Sequence, residues 1–140
     1  MSVDSDLRAF ILADAAVAAL IGVRLYPAIM PQDPVLPAVT YQWIGAIRYP
    51  NMDDAGGLST ARVQIDCWSD SKAEALDVFE AIRLALDGYR GTFGAVPVYG
   101  AFLESERESY EPATDAGTGS GVALYRRSGD YLITYEEALV

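Results

Sequence analysis

Pro27, Pro31, Pro34 and Pro37 fall close together in this chain. Each fixes its own φ and lacks a backbone donor, so the segment holding them is neither helix interior nor central strand. It is a stiff connector between two extended pieces. The first, Val23 to Tyr26, is ended by Pro27. The second, Ala38 to Ile47, is rich in β-branched and aromatic residues and reads as a strand. A turn-rich loop at Asn51 to Gly57 follows. Thr60 to Trp68 then alternates strictly, with Val63, Ile65 and Cys67 on one face and Arg62, Gln64, Asp66 and Trp68 on the other. A strand of this pattern has one face on a core and one polar face.

Helices flank this strand pair. Ser5 and Asp6 cap a first helix, whose apolar stripe is Leu7, Phe10, Ile11, Val17, Ala18 and Ile21. Gly22 stands where a helix ends in a left-handed residue. Ser71 followed by Glu74 is a capping box for a second helix, with Ser69 and Asp70 as further capping groups. Leu76, Phe79, Ile82 and Leu86 form its stripe, Lys72, Asp77, Glu80 and Arg83 fall elsewhere, and Gly88 ends it. Two more strands lie near Val98 to Tyr110 and Val122 to Tyr135, joined by a long Glu-Pro-Ala-Thr-Asp-Ala-Gly-Thr-Gly-Ser-Gly tip. The expected fold class is α+β: a single domain, 1–140, with a mainly antiparallel twisted sheet packed against two helices.

Composition limits the function classes. The 140 residues carry 10 basic and 20 acidic side chains, a net charge of −10. A chain so acidic is repelled by phosphate backbones, which argues against tight nucleic-acid binding, though not against a wall past which DNA slides. One cysteine forms no internal disulfide. The longest apolar run, Ala15 to Val23, is far short of the roughly 20 residues that span a bilayer. The first residues, with Asp4 and Asp6, lack the positive region of a signal peptide. A soluble protein made in the cytoplasm, with no membrane partner, is expected.

Chemistry is scarce. The sequence has no histidine, which removes the commonest general base and metal ligand. Cys67 reads as a small core residue. Gly117 to Gly121 lacks the Lys-Ser/Thr ending of a phosphate loop, and Thr118 occupies the place where a nucleophile elbow needs glycine. Asn51, Asp53 and Gly56 resemble the start of a calcium loop, but Arg62 stands where the bidentate acid belongs. Glu104, Glu106 and Glu108 alternate as if along one strand face, at a spacing that glycosidase carboxylates also use. Glycosidase carboxylates flank their substrate, whereas these stand side by side. A solvated or partner-facing acidic face is the simpler reading, with Arg107, Arg126 and Arg127 placed for cross-strand pairing. Trp68, on the polar face, is either locally packed or part of an interface.

Three segments carry a resemblance. Leu25 to Gln42 (L-Y-P-A-I-M-P-Q-D-P-V-L-P-A-V-T-Y-Q), Ala61 to Trp68 (A-R-V-Q-I-D-C-W) and Phe102 to Pro112 (F-L-E-S-E-R-E-S-Y-E-P) resemble the tail-completion or tail-terminator, head–tail joining, proteins of long-tailed bacteriophages, prophages and gene transfer agents. Leu124 to Tyr131 fits as well, and the Ala113 to Val122 loop is longer than the family pattern. The resemblance implies a structural virion protein, made in the bacterial cytoplasm. It would form a ring, usually of six subunits, at the head-proximal end of the tail tube. There it would stop polymerisation and meet a head connector or stopper protein. DNA would pass through without specific binding, and no catalytic residue, metal or cofactor is implied. Candidate subunit or partner contacts are Arg48, Tyr49, Asn51, Asp53, Asp54, Thr114, Asp115 and Ser120, in and beside the two long loops, together with Trp68 on its strand. Glu104, Glu106 and Glu108 are the candidate acidic lumen face. Two alternatives stand beside it: a head-side stopper or adaptor in another tube-like assembly, and a small carboxylate-dependent hydrolase.

Overall fold

The computed structural model describes residues 3–31, 34–49, 57–111 and 123–136. Its order is α1 (Val3–Ala13), α2 (Ala15–Ile21), β1 (Leu25–Pro27), β2 (Ala38–Tyr49), β3 (Leu58–Ser69), α3 (Lys72–Leu86), β4 (Tyr89–Phe93), β5 (Val96–Glu111) and β6 (Leu124–Glu136). The strands form one sheet in the order β1-β2-β3-β6-β5-β4. Every pairing is antiparallel except β1 with β2. The α+β fold is as expected, but with three helices in place of two.

The extra helix comes from Asp14. Its carboxylate accepts from the amides of Ala16 and Val17 at 3.0 and 3.1 Å, and so caps α2. A side chain that bonds its own downstream amides competes with the helix ladder, and the expected single helix divides here. The start also shifts, because Val3 already lies in α1, ahead of the expected cap at Ser5 and Asp6. Gly22 closes α2 at φ +60, a conformation that costs glycine little.

Proline makes the connector and keeps β1 at the sheet edge. The amide of Val39 donates to Arg24 and that of Ala28 to Tyr41. The Arg24 guanidinium spans the connector, donating to the carbonyls of Pro37 (2.8 Å) and Leu20 (3.2 Å). β3 is the most legible strand. Ala61, Val63, Ile65 and Cys67 are fully buried on one face, beneath the helices.

Helix α3 crosses that face and buries Ala75, Val78, Phe79, Ile82 and Leu86. Leu76, expected in the stripe, is 38% exposed, and Ala75 and Val78 take its place. Ser71 caps the helix by accepting from the Glu74 amide. The Glu74 carboxylate turns to the Ser69 hydroxyl at 2.6 Å, and Ser69 in turn accepts from the Ser71 amide, so Ser69 completes the box. Asp87 is the C-cap and Gly88 follows at φ +81. Phe79 rests on β6 at Gly129, where an added Cβ would meet its ring at 2.8 Å.

Strand β4 was not expected from the sequence. It turns into β5 through Gly94 and Ala95, between the paired Phe93 and Val96. Only Gly94 of the two has positive φ, the pattern of a type II′ hairpin. Phe93 buries its ring against Phe10, at 4.7 Å between centroids. With α1, α2 and α3 joined to one core cluster on one face, the other face of the sheet carries no helix among the described residues.

Candidate interaction surfaces

The helix-free face is assembled from every second residue of four strands. Its rows follow from the register: Thr40, Asp66, Ser128 and Arg107 lie side by side, as do Gly45, Arg62, Leu132 and Phe102. The face is polar in its middle. Arg62 contacts Glu104 at 2.9 Å and Asp130 at 3.8 Å, and Arg107 reaches Asp130 at 3.4 Å. Exposed pairs of this kind contribute about 0.2–1 kcal/mol each. Their chief effect is to leave the two arginines charge-balanced.

Trp68 belongs to the same face. Its indole N–H donates to Thr40 Oγ1 at 3.0 Å, and the Arg126 guanidinium lies 5.1 Å from its ring centre. Arg126 also donates to Ser109. Of the two readings for Trp68, local packing accounts for all these contacts.

Glu104, Glu106 and Glu108 do not share a face. The β5 register shifts between Leu103 and Ser105, and a bulge of one residue reverses the alternation beyond it. Glu104 bonds Arg62 on the helix-free face. Glu106 and Glu108 lie opposite Gly129 and Arg127, on the helix side. There Glu106 pairs with Arg127 at 2.6 Å and Glu108 with Lys72 of α3 at 3.6 Å. The row of carboxylates that gave the hydrolase reading its geometry is therefore absent. Cys67 offers no nucleophile either. Burial, reinforced by the Asp66 charge, pushes its thiol far above the usual range and keeps it protonated.

Of the loop candidates, Arg48 and Tyr49 end β2 in exposed positions, and their partners Ser59 and Leu58 place them on opposite faces. Asn51, Asp53, Asp54, Thr114, Asp115 and Ser120 lie outside the described residues. What the sequence left unread is an apolar end to the helix-free face: Ile47, Tyr49, Leu58 and Phe102 are 63, 44, 39 and 58% exposed. A second bulge, between Trp43 and Gly45, sets Ile47 and Tyr49 on this face. The run Ile44-Gly45-Ala46-Ile47 gives no sequence signal for where the phase changes. Among the described residues no cluster of acidic or cysteine side chains is arranged to hold a metal ion, and no helix is long and apolar enough to cross a membrane.

The sequence model of the family described as Tail completion protein gp17 matches residues 5–130. That span runs from the first turn of α1 to the middle of β6. The chain belongs to the tail completion protein gp17 family. It is thereby a tail completion protein, a structural component of a phage-like virion. A chain from the virion of a native gene transfer agent particle has a similar fold, with a TM-score of 0.62 at 18% identity. The likeness covers 96% of this chain and 98% of that one. No curated protein matches the sequence. The family confirms the resemblance carried by the Leu25, Ala61 and Phe102 segments, and it implies a non-enzymatic role.

Proposed function

We propose that this tail completion protein forms a ring at the head-proximal end of the tail tube. There it terminates tube polymerisation and joins the tail to the head connector or stopper. Membership of the tail completion family across residues 5–130 carries this reading. The structure supports it through a sheet whose second face is free of helices. A subunit in a ring around DNA needs a broad face with no unbalanced positive charge, since free Lys and Arg would hold the phosphates. Two of the arginines on the helix-free face, Arg62 and Arg107, are paired with acids, and Arg126 is held against the Trp68 ring and Ser109.

In this reading the helices face outward, and the helix-free face, with Glu104 and Asp130, lines the passage for DNA. Glu106 and Glu108, on the helix side of β5, face away from the passage. The segments 49–58 and 111–121, holding Asn51, Asp53, Asp54, Thr114, Asp115 and Ser120, meet the neighbouring subunit, the tube protein or the connector. Removing the gene tests the role. Particles lacking the protein are expected to yield full heads beside unjoined tubes of irregular length. Joined tails of normal length would contradict it, whereas normal tubes with leaking, tailless heads would favour the head-side stopper.

A further inference from the structure

Two strand edges have no strand partner among the described residues, and they lie at opposite corners of the sheet. β1 covers β2 only at Val39–Tyr41, which leaves the outer edge of residues 43–49 open. β4 covers β5 only as far as Ala101. Beyond it, Asp87 takes the Leu103 amide, and residues 104–111 form a second open edge. Long open edges are templates for pairing with another chain, and stable proteins cover or break them. Neither is broken here by proline.

The outward groups can be read from the register. The Val39 amide and the Tyr41 carbonyl bond toward β1. Their β3 partners Cys67 and Ile65 are in phase with Ala61, whose own partner is Ala46. Ala46 therefore presents its amide and carbonyl outward. On β5 the Ala101 carbonyl and the Leu103 amide point outward. Their β6 partners are in phase with Gly129 and Arg127, so Glu106 and Glu108 present outward backbone too.

We propose that the β5 edge of one copy takes up the β2 edge of the next, joining their sheets into one continuous antiparallel sheet around the ring. This rests on the ring reading above. Three features favour a second copy as the occupant. β2 and β5 run in opposite directions within a subunit, so a repeat of the sheet in the same orientation sets them antiparallel. The two edges differ, which gives the head-to-tail contact that a ring requires. Their compositions also differ: residues 104–111 hold four glutamates and Arg107, three of the glutamates paired with Arg62, Arg127 and Lys72 of the same subunit, while residues 43–49 hold Arg48 and no acid.

The offset between the edges fits a closed wall. The Arg107 row of the β5 edge is level with Thr40, and the middle of the β2 edge, Ala46, is level with Ala101, five rungs away. Five rungs rise about 17 Å, against about 19 Å for the width of four strands. The strands would then incline by about 40°, within the roughly 35–45° tilt of strands in closed barrels.

Hydrogen–deuterium exchange of the full chain, free and in assembled particles, tests the pairing. Peptides covering 43–49 and 104–111 should exchange at least tenfold more slowly in the particle, with β3 and β6 slow in both states. Ala46→Pro, which removes only an outward donor, should melt as the parent does and fail to enter particles. If that variant does not fold, Arg48→Glu, which sets acid against acid, should lower incorporation at least tenfold. A ring in which both segments exchange as in the free protein overturns the edge pairing and leaves the ring standing. Protection of 43–49 alone, the mark of a two-fold β2·β2 dimer, overturns it as well. Particles with no ring of this chain remove the ring reading and the pairing together.

Discussion

Single residues decide how closely the two layers approach. Gly129 lets α3 sit on the sheet, because a Cβ there would lie 2.8 Å from the Phe79 ring and 3.0 Å from Leu103 Cδ1. Phe79 is fully buried and the Arg127 guanidinium lies 5.5 Å from its ring centre, so the ring has little room to shift. Gly129→Ala should cost about 1–3 kcal/mol by overpacking, measured by urea denaturation; an unchanged midpoint would show that the layers yield. Cys67 and Tyr131 act through their neutrality. Burial, first among the causes, raises both groups well above their ordinary values, and the Tyr131 hydroxyl has no hydrogen-bond partner among the described residues. Unfolded, a thiol ionises near pH 8.5 and a phenol near pH 10. A raised folded value means stability is intact below the unfolded value and falls as pH rises beyond it. The unfolding free energy, measured by urea titration, should hold to about pH 8.5 and then decline, by up to about 1.4 kcal/mol per pH unit for each group, more steeply above about pH 10. Cys67→Ala should flatten the first part of that decline; an equally steep fall in that variant would contradict the assignment.

Elements assemble as their local signals direct, except where one residue changes the phase. β3 was legible because its alternation runs unbroken from Ala61 to Cys67, and α3 because cap, stripe and closing glycine agree. Phe79→Asp places an unpaired carboxylate beneath that stripe. The variant should not fold, and a soluble form with a cooperative melt would refute the position of α3. The failures share one cause. Asp14 sits within a continuous apolar stripe, and only its bonds to Ala16 and Val17 reveal the break. The bulges near Ile44 and Glu104 add a residue without changing composition. Glu104, Glu106 and Glu108 thus alternate in sequence yet divide between two faces. β4 was missed because Gly91 and Gly94 resemble loop, and its place comes from pairing with β5.

At the scale of the whole molecule, the chain has one core, one helix-covered face and one helix-free face. The family was legible through three segments because the connector, β2, β3 and β5 that they encode are the frame of that sheet. The edges proposed to join copies were not legible, since an open edge appears only once every strand has its neighbour. The ring proposed for this tail completion protein is defined by its position, between tube and head. Cryo-electron microscopy of the intact particle is the direct test. A closed ring of this chain is expected on the last tube layer, with α3 outward and Arg62, Glu104 and Asp130 facing the DNA passage. Density for the chain at the distal end of the tail, or a ring with α3 lining the passage, would contradict it.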